Sequence, residues 1–104
     1  MSEEWHRAAS VDQIEADEPL GVKVNGKAIC LYNVEGEIYA TADECTHAFA
    51  RLSSGFLEGC HIECPIHNGR FDVRTGAPAG GPVEDPVETY RVEVRDGEVF
   101  VALG

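Results

Sequence analysis

Two short pairs of metal-binding residues constrain this chain most: Cys45-Thr46-His47 and Cys64-Pro65-Ile66-His67, with sixteen residues between them. Each pair offers one soft, anionic thiolate and one neutral imidazole. Brought together, the four donors can hold one tetrahedral zinc, or a [2Fe–2S] cluster with two Cys on one iron and two His on the other. A zinc finger typically groups its ligands as Cys-Cys and then His-His. Here each arm contributes one ligand of each kind, which suits a two-iron core gripped by two similar loops. A lone Cys or His is more often a packing residue, but four at this shared spacing argue for a site.

With 104 residues the chain has room for one domain, 1–104. A hydrophobic content of 43% is enough to fold. No long apolar run suggests a membrane span, and Met-Ser-Glu-Glu-Trp-His-Arg lacks the basic and apolar segments of a signal peptide. The expectation is a cytoplasmic protein, since thiolates meant for a metal must stay reduced until it arrives. Nineteen acids against eight bases give a formal charge of −11. Such a surface repels nucleic acid and anionic membranes and is steered toward basic patches on partner proteins.

The rest of the sequence reads as short strands and tight turns. Asn25-Gly26, Glu35-Gly36 and Asp96-Gly97 mark two-residue hairpin turns. Tyr90, Val92 and Val94 alternate with Thr89, Arg91 and Glu93, a strand pattern. Ile29-Cys30-Leu31-Tyr32 and Val99-Phe100-Val101-Ala102 suggest strands buried on more than one side. Ser10-x-x-Gln13 opens one helical turn. The Gly/Pro stretch 76–82 is expected to be a rigid loop. The fold class is all-β, an antiparallel sandwich or barrel. Gly21 to Ala28 mimics a phosphate loop, but Ala28 replaces the magnesium-binding hydroxyl and Asn25-Gly26 turns a hairpin, so it is rejected.

The motif C-T-H-x16-C-P-x-H, within CTHAFARLSSGFLEGCHIECPIHNGRFDVRTG, resembles that of the Rieske iron–sulfur family. The stretch closely resembles the small soluble ferredoxins of bacterial ring-hydroxylating oxygenases of the naphthalene and biphenyl dioxygenase type. The resemblance runs from Trp5 to Leu103, with Gly69, Phe71, Thr75 and Gly76 in register. It implies a Rieske fold: an antiparallel β base with a small cluster-binding subdomain of two ligand loops, about 43–82. It implies one [2Fe–2S] cluster, with Cys45 and Cys64 on the buried iron and His47 and His67 on the outer iron through Nδ1. It implies a proline-containing loop at 76–82 covering that cluster. It also implies an electron carrier rather than an enzyme, taking electrons from an NADH-dependent ferredoxin reductase and passing them to a terminal oxygenase of aromatic hydrocarbon catabolism. A monomer suits such a shuttle. The rival readings are a Rieske small subunit of a nitrite reductase-like complex and, from another class, a structural zinc module.

Some residues qualify the likeness. High-potential Rieske proteins tie the arms by a disulfide, where this chain has Ala50 and Ile66, and place hydroxyls where it has Gly69 and Phe71. Without hydrogen bonds from those hydroxyls, the potential should fall near the low end of the Rieske range of roughly −150 to +300 mV. Cys30 reads as a buried core residue. Cys60 reads as a loop cysteine, exposed and oxidisable, outside the ligand set. His6 and His61 lack a ligand partner at matching spacing and read as solvated or half-buried. Phe49 and Pro82 are apolar candidates for a docking surface around the histidines, and Phe49 is equally a candidate for the core of the cluster-binding subdomain.

Overall fold

A computed structural model describes residues 4–45, 50–66, 69–81 and 85–103 of the chain. Eleven short strands make three antiparallel sheets among these residues. The first joins β1 (Trp5–Ser10), β11 (Glu98–Ala102) and β10 (Val92–Arg95) in that spatial order. The second runs β2 (Leu20–Val24), β3 (Lys27–Val34), β4 (Glu37–Ala42) and β9 (Thr89–Tyr90). The third runs β5 (Phe56–Glu58), β6 (His61–Glu63), β7 (Arg70–Asp72) and β8 (Pro78–Gly80). The all-β class expected from the sequence is observed, with two 3₁₀ turns, Val11–Gln13 and Leu52–Ser54, and no α-helix among the described residues. Among the described residues no helix is long and apolar enough to cross a membrane.

The three hairpin turns fall where the sequence put them. Asn25, Glu35 and Asp96 take φ of 51°, 52° and 50°, each followed by a glycine at positive φ. Two successive positive φ values suit the right-handed twist of the flanking strands. Glu35 has no intrinsic liking for this region; Asn33 helps there, its side-chain oxygen accepting the Gly36 N–H at 3.0 Å. At Ser10, the backbone N–H donates to the Gln13 side chain at 2.9 Å and opens the single turn.

β3 divides the interior into two cores. Ile29, Cys30, Leu31 and Tyr32 are all fully buried. Because side chains alternate across a strand, Ile29 and Leu31 join Val24, Ala40, Val99 and Val101 in one core. Cys30 and Tyr32 join Cys45, Cys64, Ile62 and Phe71 in the other. Each fully buried Ile, Leu or Phe side chain contributes roughly 1.5–3 kcal/mol. The Tyr32 and Thr41 hydroxyls are hydrogen-bonded at 2.8 Å, and the Thr41 hydroxyl lies 2.9 Å from the Ala42 carbonyl, so the buried polar atoms are paired.

Three expectations need revision. The alternating segment from Thr89 to Val94 is not one strand: it passes from β9, paired with β4, to β10, paired with β11. The alternation survives only as far as Val92: Tyr90 and Val92 pack against one core, while Val94 is exposed. β11 buries only Val99 and Val101, while the Phe100 ring lies outward beneath the Arg95 guanidinium, 4.6 Å from its centroid. The Gly/Pro stretch is not all loop, since Pro78–Gly80 pairs with β7 as an edge strand, where the missing proline N–H costs nothing. Pro82 lies outside the described residues.

Gly76 anchors the return from the third sheet to the second. Its φ is +80°, its N–H donates to the Asp72 carbonyl at 2.7 Å, and its carbonyl accepts the Val87 N–H at 2.9 Å. A Cβ there would sit 2.2 Å from the Val87 carbonyl oxygen, whereas one on Gly26, at φ +83°, would meet nothing within 4 Å. Gly26→Ala should therefore lose only the left-handed penalty of about 1–2 kcal/mol, and Gly76→Ala clearly more. Urea unfolding of the two variants checks this; equal losses would contradict it.

Candidate metal centre

The two arms are built alike. After β4, residues 43–45 run antiparallel to 50–52: Glu44 bridges Arg51, and the Leu52 N–H donates to the Asp43 carbonyl at 2.7 Å. The Cys45 N–H donates to the Ala50 carbonyl at 2.9 Å. In the second arm, β6 and β7 pair through His61–Asp72, Ile62–Phe71 and Glu63–Arg70. The Cys64 N–H then donates to the Gly69 carbonyl, also at 2.9 Å. Each cysteine thus stands at the mouth of a loop closed onto the residue five positions on. Cys45 is 4% exposed and Cys64 1%, and both belong to the same apolar core. His47 and His67 lie outside the described residues, as does Phe49.

The base of the first arm is fixed by Asp43, 2% exposed. Its Oδ1 accepts the Ser53 N–H at 2.7 Å and its Oδ2 accepts the Ser53 hydroxyl at 2.9 Å. These bonds tie the strand entering the loop to the 3₁₀ turn that follows it, where Leu52 is fully buried. The second arm is fixed by its sheet. Leu57, Ile62 and Phe71 lie side by side across β5, β6 and β7 and form the buried row. Phe71, one of the two positions without a hydroxyl, thus packs in the core that holds both cysteines.

The other cysteines separate clearly. Cys30 is fully buried, as expected, and burial pushes its thiol far above the usual range, against a hydrogen bond with Tyr32 that acts the other way. A thiol held neutral is a poor metal ligand at neutral pH. Cys60 is half-buried in the turn between β5 and β6. His6 is half-buried, its Nε2 3.5 Å from a Glu4 carboxylate oxygen. His61 is exposed, within the expectation of a solvated or half-buried imidazole; its ring nitrogen, the Cys60 sulfur and an Asp72 carboxylate oxygen lie within 4.8 Å of one another. The adjacent Cys60-His61 pair was visible in the sequence; the cross-strand pairing that adds Asp72 was not.

An all-β scaffold whose two cysteine-gated loops share one apolar core fits a small metalloprotein of the iron–sulfur type. The Rieske [2Fe-2S] domain model matches residues 4–91, and the chain belongs to that family. It is 50% identical, over 99% of each chain, to the ferredoxin component of the naphthalene 1,2-dioxygenase/salicylate 5-hydroxylase systems of a Ralstonia species. Among solved structures, the Sphingomonas yanoikuyae B1 ferredoxin superposes with a TM-score of 0.91 at 36% identity, covering 99% of this chain and 100% of that one. A chain in the complex of reduced oxygenase and oxidized ferredoxin of carbazole 1,9a-dioxygenase superposes at 0.89, with 39% identity, 97% of this chain and 94% of that one covered. The family's cofactor is a Rieske-type [2Fe–2S] cluster, which sets the zinc reading aside. The relatives are named as ferredoxin components, electron carriers rather than catalysts.

Asp43→Ala removes both acceptors that hold Ser53 and should cost about 1–3 kcal/mol of unfolding free energy. Ser53→Ala, which keeps the backbone bond, should cost less. Chemical denaturation of both variants measures the difference, and an Asp43→Ala protein as stable as the parent would refute the role given to this carboxyl.

Proposed function

We propose that this chain is the monomeric, cytoplasmic one-electron carrier of an aromatic ring-hydroxylating system, moving electrons from an NADH-dependent ferredoxin reductase to a terminal oxygenase. Residues 43–82 form its cluster-binding subdomain, with Cys45 and Cys64 on one iron and His47 and His67 on the other. The observation that supports this most is the equivalence of the arms: two buried cysteines of one core, each closing a loop that contains one of the histidines. Bound there, the cluster supplies one-electron reduction and oxidation.

The chain's own residues do the rest. Leu57, Ile62 and Phe71 exclude water from the thiol side. Phe71 brings no hydroxyl to that core, which favours a potential low in the Rieske range, as a donor to an oxygenase needs. Ile66, next to His67 in sequence, is 63% exposed and offers a dry contact to a docking protein. The charge of −11 steers the carrier toward basic partner surfaces. One face used in turn for reductase and oxygenase keeps the interface small, below roughly 1,200 Å² in total. The naming of the relatives as dioxygenase ferredoxin components favours this over the nitrite reductase reading.

Two experiments test the proposal. Cys45→Ser and Cys64→Ser should each lose iron, acid-labile sulfide and the rhombic EPR signal of the reduced protein, while Cys30→Ser and Cys60→Ser keep all three. A cluster lost in Cys60→Ser would overturn the ligand assignment. Ile66→Glu should slow second-order electron transfer to the oxygenase without changing the EPR signal, and the parent rate should fall as salt rises. A rate indifferent to both would remove the docking role.

A further inference from the structure

The third sheet has a second cluster of metal-binding side chains at the end of β6 away from the Cys64 loop. Gly59, at φ +61°, turns the chain into Cys60, and the Cys60 carbonyl accepts the Val73 N–H at 2.8 Å, extending the β6–β7 pairing by one residue. Beyond it, Glu58, His61 and Asp72 lie side by side on β5, β6 and β7. We propose that Cys60, His61 and Asp72 form a metal site of their own, separate from Cys45 and Cys64, taking one zinc-class divalent cation through a thiolate, an imidazole and a carboxylate.

The donor set is the first reason. One sulfur, one nitrogen and one oxygen suit a borderline-soft cation, and three protein ligands plus water complete a tetrahedron. Reach is the second. Bonds of about 2.0–2.3 Å in a tetrahedron place ligand atoms some 3.3–3.8 Å apart. The three atoms already lie within 4.8 Å of one another. Rotamer adjustment of a turn cysteine and an outer-face histidine can close a gap of about 1 Å.

The carboxylate is also held in place. Asp72 Oδ1 accepts from the Arg74 backbone N–H at 2.9 Å and from Arg74 Nε at 3.1 Å, and Oδ2 accepts from the other guanidinium nitrogen at 2.9 Å. Of the four lone-pair sites on a carboxylate, these three bonds leave one on Oδ2 for a metal. The Arg74 hydrogen bonds hold Asp72 below the usual carboxylate range, so it is ionised before a metal arrives. An outer partner that orients a ligand in this way is a common part of metal sites.

Arg74 is a positive neighbour, and the surrounding charge offsets it. Glu58 faces His61 across the strand pair. Asp17, Glu35 and Glu37 line an adjoining cavity of about 570 Å³ together with Cys60 and Arg74. Binding releases the Cys60 thiol proton to solvent; thiolate and carboxylate then balance the dication, and no electron moves.

The test adds zinc chloride to the cluster-loaded protein. One zinc per chain should bind by titration calorimetry with the visible cluster spectrum unchanged. The zinc absorption edge should show one sulfur at about 2.3 Å among lighter ligands. Cys60→Ser and either His61→Asn or Asp72→Asn should weaken binding at least about tenfold. No binding, or undiminished binding in Cys60→Ser, overturns the proposal. So does loss in Cys60→Ser with both other variants unaffected, which would leave a lone thiol. Two sulfurs on the zinc with bleaching of the cluster would mean capture by Cys45 and Cys64, and would overturn it too. The intact cluster spectrum of each variant is the control for folding.

Discussion

The chain depends on two backbone hydrogen bonds of the same form, Cys45 N–H to the Ala50 carbonyl and Cys64 N–H to the Gly69 carbonyl. Each closes a loop at its mouth and leaves a thiol inside the core, 4% and 1% exposed. A buried amide without a partner costs about 1–3 kcal/mol, so neither loop can open at that point without penalty. The arrangement therefore fixes where the two sulfurs start before any metal binds. The loops themselves differ in sequence and in the spacing of Cys to His. What they share is the closure.

Two cores serve two purposes, and β3 is shared between them. The core under Ile29 and Leu31 joins the first sheet to the second and makes the base. The core under Cys30 and Tyr32 takes in Leu52 from the first arm, and Ile62 and Phe71 from the second. The arms are thus packed on a strand already held by its two neighbours, β2 and β4. Asp43 adds a polar tie where an apolar one would not fix the direction of the chain, because both of its oxygens are aimed at one serine. Outside, the third sheet bears alternating charges such as the Arg70–Glu63 pair at 3.1 Å. Exposed pairs of this kind contribute little to stability.

Features set by neighbouring residues were legible in the sequence. The turns at Asn25-Gly26 and Asp96-Gly97 follow from those dipeptides, the turn at Glu35-Gly36 from its glycine and the nearby Asn33 side chain, and the two-sided burial of β3 from four consecutive apolar residues. The four ligand candidates were legible from their spacing, and the structure brings Cys45 and Cys64 into one core. What the sequence hid was set by distant pairing. Nothing local says that Arg91 is the crossing point between two sheets, or that Pro78–Gly80 finds an edge to pair with. Phe100 falls between buried Val99 and Val101 and so takes the opposite face, where Arg95 across the hairpin lies over its ring. Asp72 joins Cys60 and His61 only because β6 and β7 pair in this register; a shift of one residue would turn it to the opposite face.

The central claim is that these two arms together hold one cluster with mixed ligation, two thiolates on one iron and two imidazoles on the other. Pulsed EPR of the dithionite-reduced protein, made with 15N-labelled histidine in an otherwise unlabelled chain, tests it most directly. The account predicts two strongly coupled 15N nuclei of ring nitrogens, each lost separately in His47→Cys and His67→Cys. A reduced cluster with no histidine nitrogen coupled, or with one that survives both substitutions, would contradict it.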